Sequence, residues 1–390
     1  MKIAIDGSKA VNEQAGIARY TWEIANNMPK YFKNDEFFYF FNFLRKSKEK
    51  INLIQKLIRK NKNVTYKIIP IPGQLKEKLL PQKFSILNHW LKYYDIYHAT
   101  EFLSFDNGLK IPQVVTVHDL AIVRFPKHRG EKESSRHSQM LKNACLYSDG
   151  IISVSHSTKN DIIKYFRINP DKITVVHSGY NPLFKKVNDP KKEKMIMHRY
   201  NINFPFILFV GTVEPRKNII NLMEAFSLFQ KNMEVNKCHL VIIGKKGWNT
   251  SLIDKAYHDN IHKDKIHFLD YVEDDSLLYF YNKCELFCYP SIFEGFGFPP
   301  LEAMACGAPV VTSNISSLPE ICGSAAYYID PEDPKSIFQA LSKILNDDGL
   351  RRLLRKKSLN QAKKFFWKKC VEETYKVYKG IIKKNEKKLS

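Results

Sequence analysis

The stretch Tyr289-Pro290-Ser291-Ile292-Phe293-Glu294-Gly295-Phe296-Gly297-Phe298-Pro299-Pro300-Leu301-Glu302-Ala303-Met304-Ala305-Cys306-Gly307-Ala308-Pro309-Val310-Val311 reads as strand, turn, helix and strand in succession. A buried strand ends at Pro290 and a Gly-x-Gly turn follows. Pro299 and Pro300 then open a helix, at the positions where a missing N–H costs least. Gly307 supplies the left-handed residue that ends helices, and Pro309 leads into the next strand. Gly295 and Gly297 let the backbone approach a ligand closely, and N–H groups at a helix start favour a diphosphate there. Glu294 stands before the turn and Glu302 inside the helix, so the two carboxylates reach different parts of one extended ligand. Beside a phosphate they would repel it unless they bind hydroxyls, and a nucleotide sugar offers hydroxyls on both hexose and ribose.

Outward from this stretch the same alternation continues. Short apolar strands read at Phe206–Val210, His239–Ile243, Ile266–Leu269, Leu286–Tyr289, Pro309–Thr312 and Ala326–Ile329, each followed by a polar or Gly-bearing turn and a helix. The first half repeats the pattern at Lys2–Ile5, Asn63–Pro70, Ile96–His98, Val114–His118, Gly150–Val154 and Ile173–His177, with a helix from the Gly16 segment through Met28. Strands and helices alternating at these lengths predict parallel sheets covered on both faces. The chain has 390 residues, which at about 100–200 residues per domain gives two domains. The Lys-, Asp- and Pro-rich segment Asn181–Tyr200 reads as an exposed connector, so the expected domains are 1–185 and 186–365, with a last helix over 366–390 packing back on the first. Doubly wound domains bind ligands at the C-terminal ends of their strands.

Composition narrows the class of function. With 44% hydrophobic, 26% charged and 13% aromatic residues, the chain is neither disordered nor collagenous. The longest apolar run, Phe204 to Val210, is far short of the roughly 20 residues that span a bilayer, and the polar turn at residue 6 is unlike a secretory signal. The expected location is therefore cytoplasmic. Seven cysteines, odd in number and without a CxxC pair, read as buried thiols rather than disulfides or zinc ligands. The net charge of +22 calls for anionic partners: nucleic acid, anionic lipid headgroups or phosphorylated small molecules, among which composition does not choose. A nucleic-acid-binding protein should show basic residues alternating with stacking aromatics, or a recognised binding motif, and the sequence has neither. From Arg45 to Lys67 nine basic residues face one acid, Glu49, and alternate with Ile51, Leu53, Ile54, Leu57 and Ile58, the pattern of a basic amphipathic helix. It reads equally as a solvated surface helix and as a helix on an anionic membrane, with Lys76, Lys78, Leu79, Leu80, Lys83, Phe84, Trp90 and Lys92 extending the second reading. The aromatic group Phe37, Phe38, Tyr39, Phe40, Phe41 and Phe43 is expected in a buried strand.

Glu294 and Glu302 resemble the E-x7-E element of retaining glycosyltransferases of family 4, which have the α/β GT-B fold: two Rossmann-like, doubly wound parallel-sheet domains facing a central cleft. Further stretches are similar in order and spacing. Phe209–Asn218 resembles the strand and loop whose Arg and Lys, here Arg216 and Lys217, clamp the donor diphosphate, and Gly211 lies in that loop. Val241–Trp248 resembles the next strand end, and Phe268–Val272 the one beside the nucleotide base, which assigns Tyr271 and Val272 to base binding. Ser316-Ser317-Leu318-Pro319-Glu320 and Asp330-Pro331 resemble the tail of the same domain. Gly16 to Tyr20 occupies the place of the Gly-rich donor-phosphate loop, Val117–Leu120 that of an acceptor-side motif, and Ser153–Ser157 and His177–Tyr180 those of the strand ends before the linker. Many relatives have paired glycines where this chain has Ala15-Gly16, and an Asp where Ser324 stands. His118-Asp119-Leu120, Pro126 and the Gly244-Lys245-Lys246-Gly247-Trp248 turn are similar to bacterial mannosyltransferases of lipopolysaccharide O-chain synthesis.

The resemblance implies transfer of a hexose, mannose from GDP-mannose, with retention at the anomeric carbon, onto a lipid-diphosphate-linked saccharide at the inner face of the cytoplasmic membrane. UDP-GlcNAc, UDP-glucose and dTDP-rhamnose remain as alternative donors. His118, Glu294, Arg216 and Lys217 are the expected catalytic residues. Gly16, Gly211, Tyr271, Val272, Gly295, Phe296, Gly297 and Glu302 join Arg216, Lys217 and Glu294 in donor binding, Glu302 at the ribose. Asp119 either belongs to the acceptor-side motif or caps the following segment. The chain has no Asp-x-Asp, the motif that holds Mg²⁺ or Mn²⁺ in the other glycosyltransferase architecture, so no metal or other cofactor is expected.

Overall fold

The computed structural model describes residues 1–11, 16–43, 47–59, 61–69, 87–106, 108–126, 131–232 and 238–389. Two sheets organise it, and every strand pairing in them is parallel. The first contains β1 (Lys2–Asp6), β2 (Glu36–Asn42), β3 (Val64–Ile69), β4 (Ile96–Ala99), β5 (Gln113–Val117), β6 (Gly150–Ser153) and β7 (Ile173–Val175), in the order β3-β2-β1-β4-β5-β6-β7. The second contains β8 (Phe206–Val210), β9 (His239–Ile243), β10 (Ile266–Leu269), β11 (Leu286–Tyr289), β12 (Val310–Ser313) and β13 (Ala326–Ile329), in the order β10-β9-β8-β11-β12-β13. β4, β5, β6, β11 and β12 are buried at every residue, as helices on both faces of a parallel sheet require. Winding outward from the first strand and then back to its other side places a switch point between β1 and β4, and another between β8 and β11. In doubly wound sheets the loops leaving such neighbours run to opposite faces, which makes the strands' C-terminal ends there the place where ligands bind.

The chain divides into two compact units, Met1–Gly179 with Phe366–Ser390, and Tyr180–Phe365. The first division falls six residues before the expected 185/186, because residues 181–187 are built into the second unit: Phe184 packs edge-on against Tyr281, Asn282 donates to the Lys185 carbonyl at 2.9 Å, and the Val187 N–H donates to Asn282 Oδ1 at 3.0 Å. The segment Asn181–Tyr200 is thus more than a connector, and Pro190–Arg199 is a helix capped by Asp189. In the first unit the helix Trp367–Leu389 packs on the helix Gly16–Tyr31 and on β6. Tyr375 stacks on Phe32 at 3.7 Å and Tyr378 bonds His98 Nδ1 at 2.6 Å.

The basic helix is shorter than its sequence pattern. It runs Lys48–Ile58, with Ser47 Oγ accepting the Lys50 N–H at 3.2 Å, and buries Ile54 and Leu57. β-Branched Val64 and Thr65 then pair with Phe37 and Phe38 of β2, which takes Lys67 into an edge strand. Arg45, Lys46, Lys60, Lys76, Lys78, Leu79, Leu80, Lys83 and Phe84 lie outside the described residues. The aromatic run is β2, with Phe37, Tyr39, Phe40 and Phe41 buried. All seven cysteines are buried and unbridged. No helix among the described residues is long and apolar enough to cross a membrane.

Candidate active site

The second sheet's switch point gathers the charged residues. After β8 the chain passes Gly211 to Glu214, makes a short 3-10 turn over Pro215–Lys217, and reaches Asn218 in the left-handed region at φ 60°. Asn is one of the few residue types that adopts this conformation readily. Its side-chain amide donates to the carbonyls of Pro290 at 3.0 Å and Pro331 at 2.6 Å, tying the β8 loop to the ends of β11 and β13. The Ile292 N–H donates to the Arg216 carbonyl at 3.0 Å and closes the two loops on each other. Gly244, at the end of β9, must be glycine: a Cβ there would stand 2.0 Å from the Gly211 carbonyl oxygen.

Lys217 and Glu294 meet at the centre. Lys217 Nζ donates to Glu294 Oε1 at 2.5 Å and to the Tyr289 hydroxyl at 2.8 Å. The Tyr289 hydroxyl donates onward to the same Oε1 at 2.9 Å, and Ser291 Oγ donates to it at 2.7 Å. Arg216 bridges three groups: Glu294 Oε2 at 3.3 Å, Glu214 Oε1 at 2.6 Å and the Phe293 carbonyl at 2.6 Å. Two cations thus face two carboxylates, all four largely withdrawn from water. Burial by itself would raise the Glu294 carboxyl, but the charges of Lys217 and Arg216, with the hydrogen bonds from Lys217 and Ser291, outweigh it and hold the carboxyl down at about 2. Burial lowers Lys217 from the usual lysine range, against the pull of Glu294, and raises Tyr289 well above the usual tyrosine range, so its phenol stays protonated as a donor.

The turn after Glu294 is held from the other side by Ser316 Oγ and Ser317 Oγ, which donate to the Glu294 carbonyl at 2.5 and 3.0 Å, while Ser317 also reaches the Phe296 carbonyl at 2.9 Å. Gly297 sits at φ 107°, which favours glycine, and starts the helix Phe298–Ala305. Pro299 and Pro300 carry no N–H, so the backbone donors of this turn are the amides of Gly295, Phe296, Gly297 and Phe298. Glu302, on the same helix, is buried and accepts from the Tyr281 hydroxyl at 3.3 Å. Tyr271 and Val272 follow β10, two strands from β8. Val272 is buried, and Tyr271 is exposed with Lys245 Nζ 4.9 Å from its ring centre.

His118 and Gly16 belong to the first unit. His118 follows β5 and its Nε2 lies 2.9 Å from the Thr100 carbonyl. A carbonyl only accepts, so Nε2 carries the proton and Nδ1 is the acceptor nitrogen. Burial lowers its basicity, the Thr100 bond opposes that, and the Tyr20 ring meets it edge-on at 4.9 Å. Asp119 Oδ1 accepts the Ala121 N–H at 2.8 Å, a local bond at the entry to the short helix Ala121–Arg124. Gly16 is the first residue of its helix rather than part of a loop, and Ala15 lies outside the described residues.

Sequence reasoning gave no role to Glu214, Tyr281, Tyr289, Ser291, Ser316 or Ser317. One signal was available: residues 289 and 291 project to the same side of an extended chain that leads to Glu294.

Comparison with known proteins places these features in a family. The profile described as "Glycosyl transferases group 1" matches residues 191–363, and that described as "Glycosyltransferase Family 4" matches residues 15–182. The chain is 32% identical over 271 residues to the O-antigen chain mannosyltransferase B of Escherichia coli, covering 68% of this chain and 70% of that one. It is 33% identical over 224 residues to the serotype-specific mannosyltransferase WbdA of E. coli, covering 56% of this chain but only 27% of that longer relative. Among solved structures, HepE from Anabaena in complex with UDP-glucose superposes with a TM-score of 0.72 over 97% of this chain and 100% of its own, at 17% identity.

Proposed function

The chain belongs to glycosyltransferase family 4, with the two doubly wound sheets of the GT-B class, and from that premise we propose that it transfers mannose from GDP-mannose, with retention, to a lipid-diphosphate-linked saccharide of an O-antigen-type polysaccharide. The observation that carries this reading is the Arg216–Lys217–Glu294 cluster at the β8/β11 switch point, which sets two cations suited to a diphosphate beside a carboxylate suited to sugar hydroxyls. The choice of mannose is supported by the mannosyltransferase relatives. In this reading Gly211 and the amides of Gly295, Phe296 and Gly297 approach the donor phosphates, Glu302 binds the ribose, and Tyr271 and Val272 flank the base. Gly16 and His118 contribute from the first unit. The acceptor hydroxyl attacks from the face that the diphosphate leaves, and the departing diphosphate takes its proton. Arg216, Lys217 and the turn amides stabilise the growing negative charge, and no metal is needed for that purpose.

The test is thermal unfolding and transfer with a panel of nucleotide sugars in the presence of EDTA. GDP-mannose at 100 times its dissociation constant is expected to add about 2.7 kcal/mol and to support transfer. A response to UDP-GlcNAc, UDP-glucose or dTDP-rhamnose instead would reassign the donor. Activity lost in chelator and restored by Mg²⁺ or Mn²⁺ would overturn the metal-free mechanism.

The same proposal holds the enzyme on the inner face of the cytoplasmic membrane through its first unit. Lys48, Lys56, Arg59, Lys62, Lys67 and Lys92 are exposed on or near the helix Lys48–Ile58 and the edge strand β3, with Lys67 over the Trp90 ring at 4.4 Å. Ile54 and Leu57 are committed to the core, so the attachment is electrostatic, at about 1 kcal/mol per basic residue. Sedimentation with vesicles should show binding to anionic but not neutral lipid, released by high salt. Equal binding to both, or none to either, would leave the helix a solvated surface.

A further inference from the structure

Lys217 has three N–H donors, and the structure spends two of them, on Glu294 Oε1 and on the Tyr289 hydroxyl. The direction of the third follows from where those two acceptors stand. Glu294 Oε1 in turn receives three donors, from Lys217, Tyr289 and Ser291, whereas Oε2 faces Arg216 at 3.3 Å. The Tyr289 hydroxyl is the hinge of this arrangement, since it accepts from the lysine and donates to the carboxylate. Its ring is fully buried and stacked between Phe209, at 5.5 Å between centroids, and Phe287, at 5.9 Å, so the hydroxyl has little freedom to wander. Ser291 has one hydroxyl proton and three acceptors in reach: the carbonyls of Arg216 at 3.1 Å and Phe293 at 3.2 Å, and Glu294 Oε1 at 2.7 Å. The charged oxygen is the nearest and the strongest acceptor.

We infer that Tyr289 and Ser291 are positioning residues: they saturate Glu294 Oε1 and fix Lys217, so that the third ammonium N–H is aimed at a diphosphate oxygen and Oε2 is kept for a sugar hydroxyl. This rests on assigning Lys217 to the diphosphate in the proposed function. Neither residue touches the donor; both act through Lys217 and Glu294. Removing the phenol lets the ammonium turn toward Glu294, and the geometry offered to the diphosphate is lost although the charge is retained.

The experiment is calorimetric binding of inorganic pyrophosphate to the full chain, which carries neither sugar nor base and so is independent of the donor's identity. Tyr289→Phe keeps the stacked ring and Ser291→Ala keeps the backbone. Each is expected to weaken pyrophosphate about five- to tenfold, and Lys217→Ala at least fiftyfold, with thermal unfolding of Tyr289→Phe close to that of the parent. A purely structural role would lower the unfolding midpoint and leave the affinity of the folded fraction unchanged, and that outcome overturns the inference, as does parental affinity in Tyr289→Phe. If the parent binds no pyrophosphate, the diphosphate role of Lys217 and this inference fall together. Should pyrophosphate bind but GDP-mannose give no response, only the choice of donor falls.

Discussion

Replacing Arg216 and Lys217 with alanine is expected to lower turnover at least a hundredfold for either single variant and further for the double one. In the proposed reaction both cations meet the leaving diphosphate, whose charge grows in the transition state, so each variant loses more there than in the ground state. Roughly 3 kcal/mol per contact is a factor above a hundred in rate. The buried cluster adds a second effect. Lys217→Ala leaves Glu294 with Arg216 as its remaining cation at 3.3 Å, and Arg216→Ala leaves Glu214 without the partner it has at 2.6 Å. Breaking a buried pair from one side costs about 3–5 kcal/mol of stability, so rates must be expressed per folded molecule, with folding followed by thermal unfolding. Near-normal turnover in the folded double variant would remove the diphosphate assignment.

Glu294→Gln is expected to lower transfer by a similar factor while Glu302→Ala chiefly weakens nucleotide affinity. Glutamine nearly preserves the shape of Glu294 and keeps one acceptor oxygen, but it removes the charge that Lys217 and Arg216 both face. A neutral amide accepts a sugar hydroxyl less strongly than a carboxylate does, and its NH₂ offers Lys217 or Arg216 no acceptor at all. Glu302 is a different case. It is buried on the helix Phe298–Ala305, where it accepts from the Tyr281 hydroxyl. Loss of a charged hydrogen bond to ribose, about 1.5–3 kcal/mol, should weaken GDP roughly ten- to a hundredfold. The measurement is GDP affinity beside single-turnover rate for both variants. Glu302→Ala binding GDP as tightly as the parent would end the ribose assignment, and a Glu294→Gln rate near the parent's would end the hexose assignment.

Much of the fold was legible in the sequence because parallel strands buried on both faces leave local signs. Phe206–Val210, His239–Ile243, Ile266–Leu269, Leu286–Tyr289 and Ala326–Ile329 are apolar runs bounded by turn residues, and each is a strand with those limits. Gly307 likewise announced the helix end, and it adopts φ 77° one residue past the cap at Cys306. Amphipathic spacing was less reliable. The basic stretch reads as one amphipathic pattern from Arg45 to Lys67, although the strand reading of Asn63–Pro70 overlaps its end. The strand is the reading that the structure keeps, with the helix ending at Ile58 and Val64 to Ile69 paired to β2.

The sequence by itself determined the strand and the turn that carry Glu294 and singled out Arg216, Lys217 and Glu302 as candidates beside it, because residue type and neighbouring backbone are local properties. Only the tertiary structure decided which of these side chains touch. Lys217 and Glu294 are 77 positions apart and meet because β8 and β11 are neighbours in the sheet, an adjacency set by strand order rather than by spacing. The same closure brings the Tyr289 hydroxyl between them and turns Asn218 toward Pro290 and Pro331. The end of the first unit at Gly179 was decided in the same way. A Cβ there would lie 2.4 Å from the Trp367 backbone nitrogen, a contact with a segment that returns only after the whole second unit has been traversed. Close packing between distant segments follows from how the chain fills space, and space is filled only once the sheets have assembled.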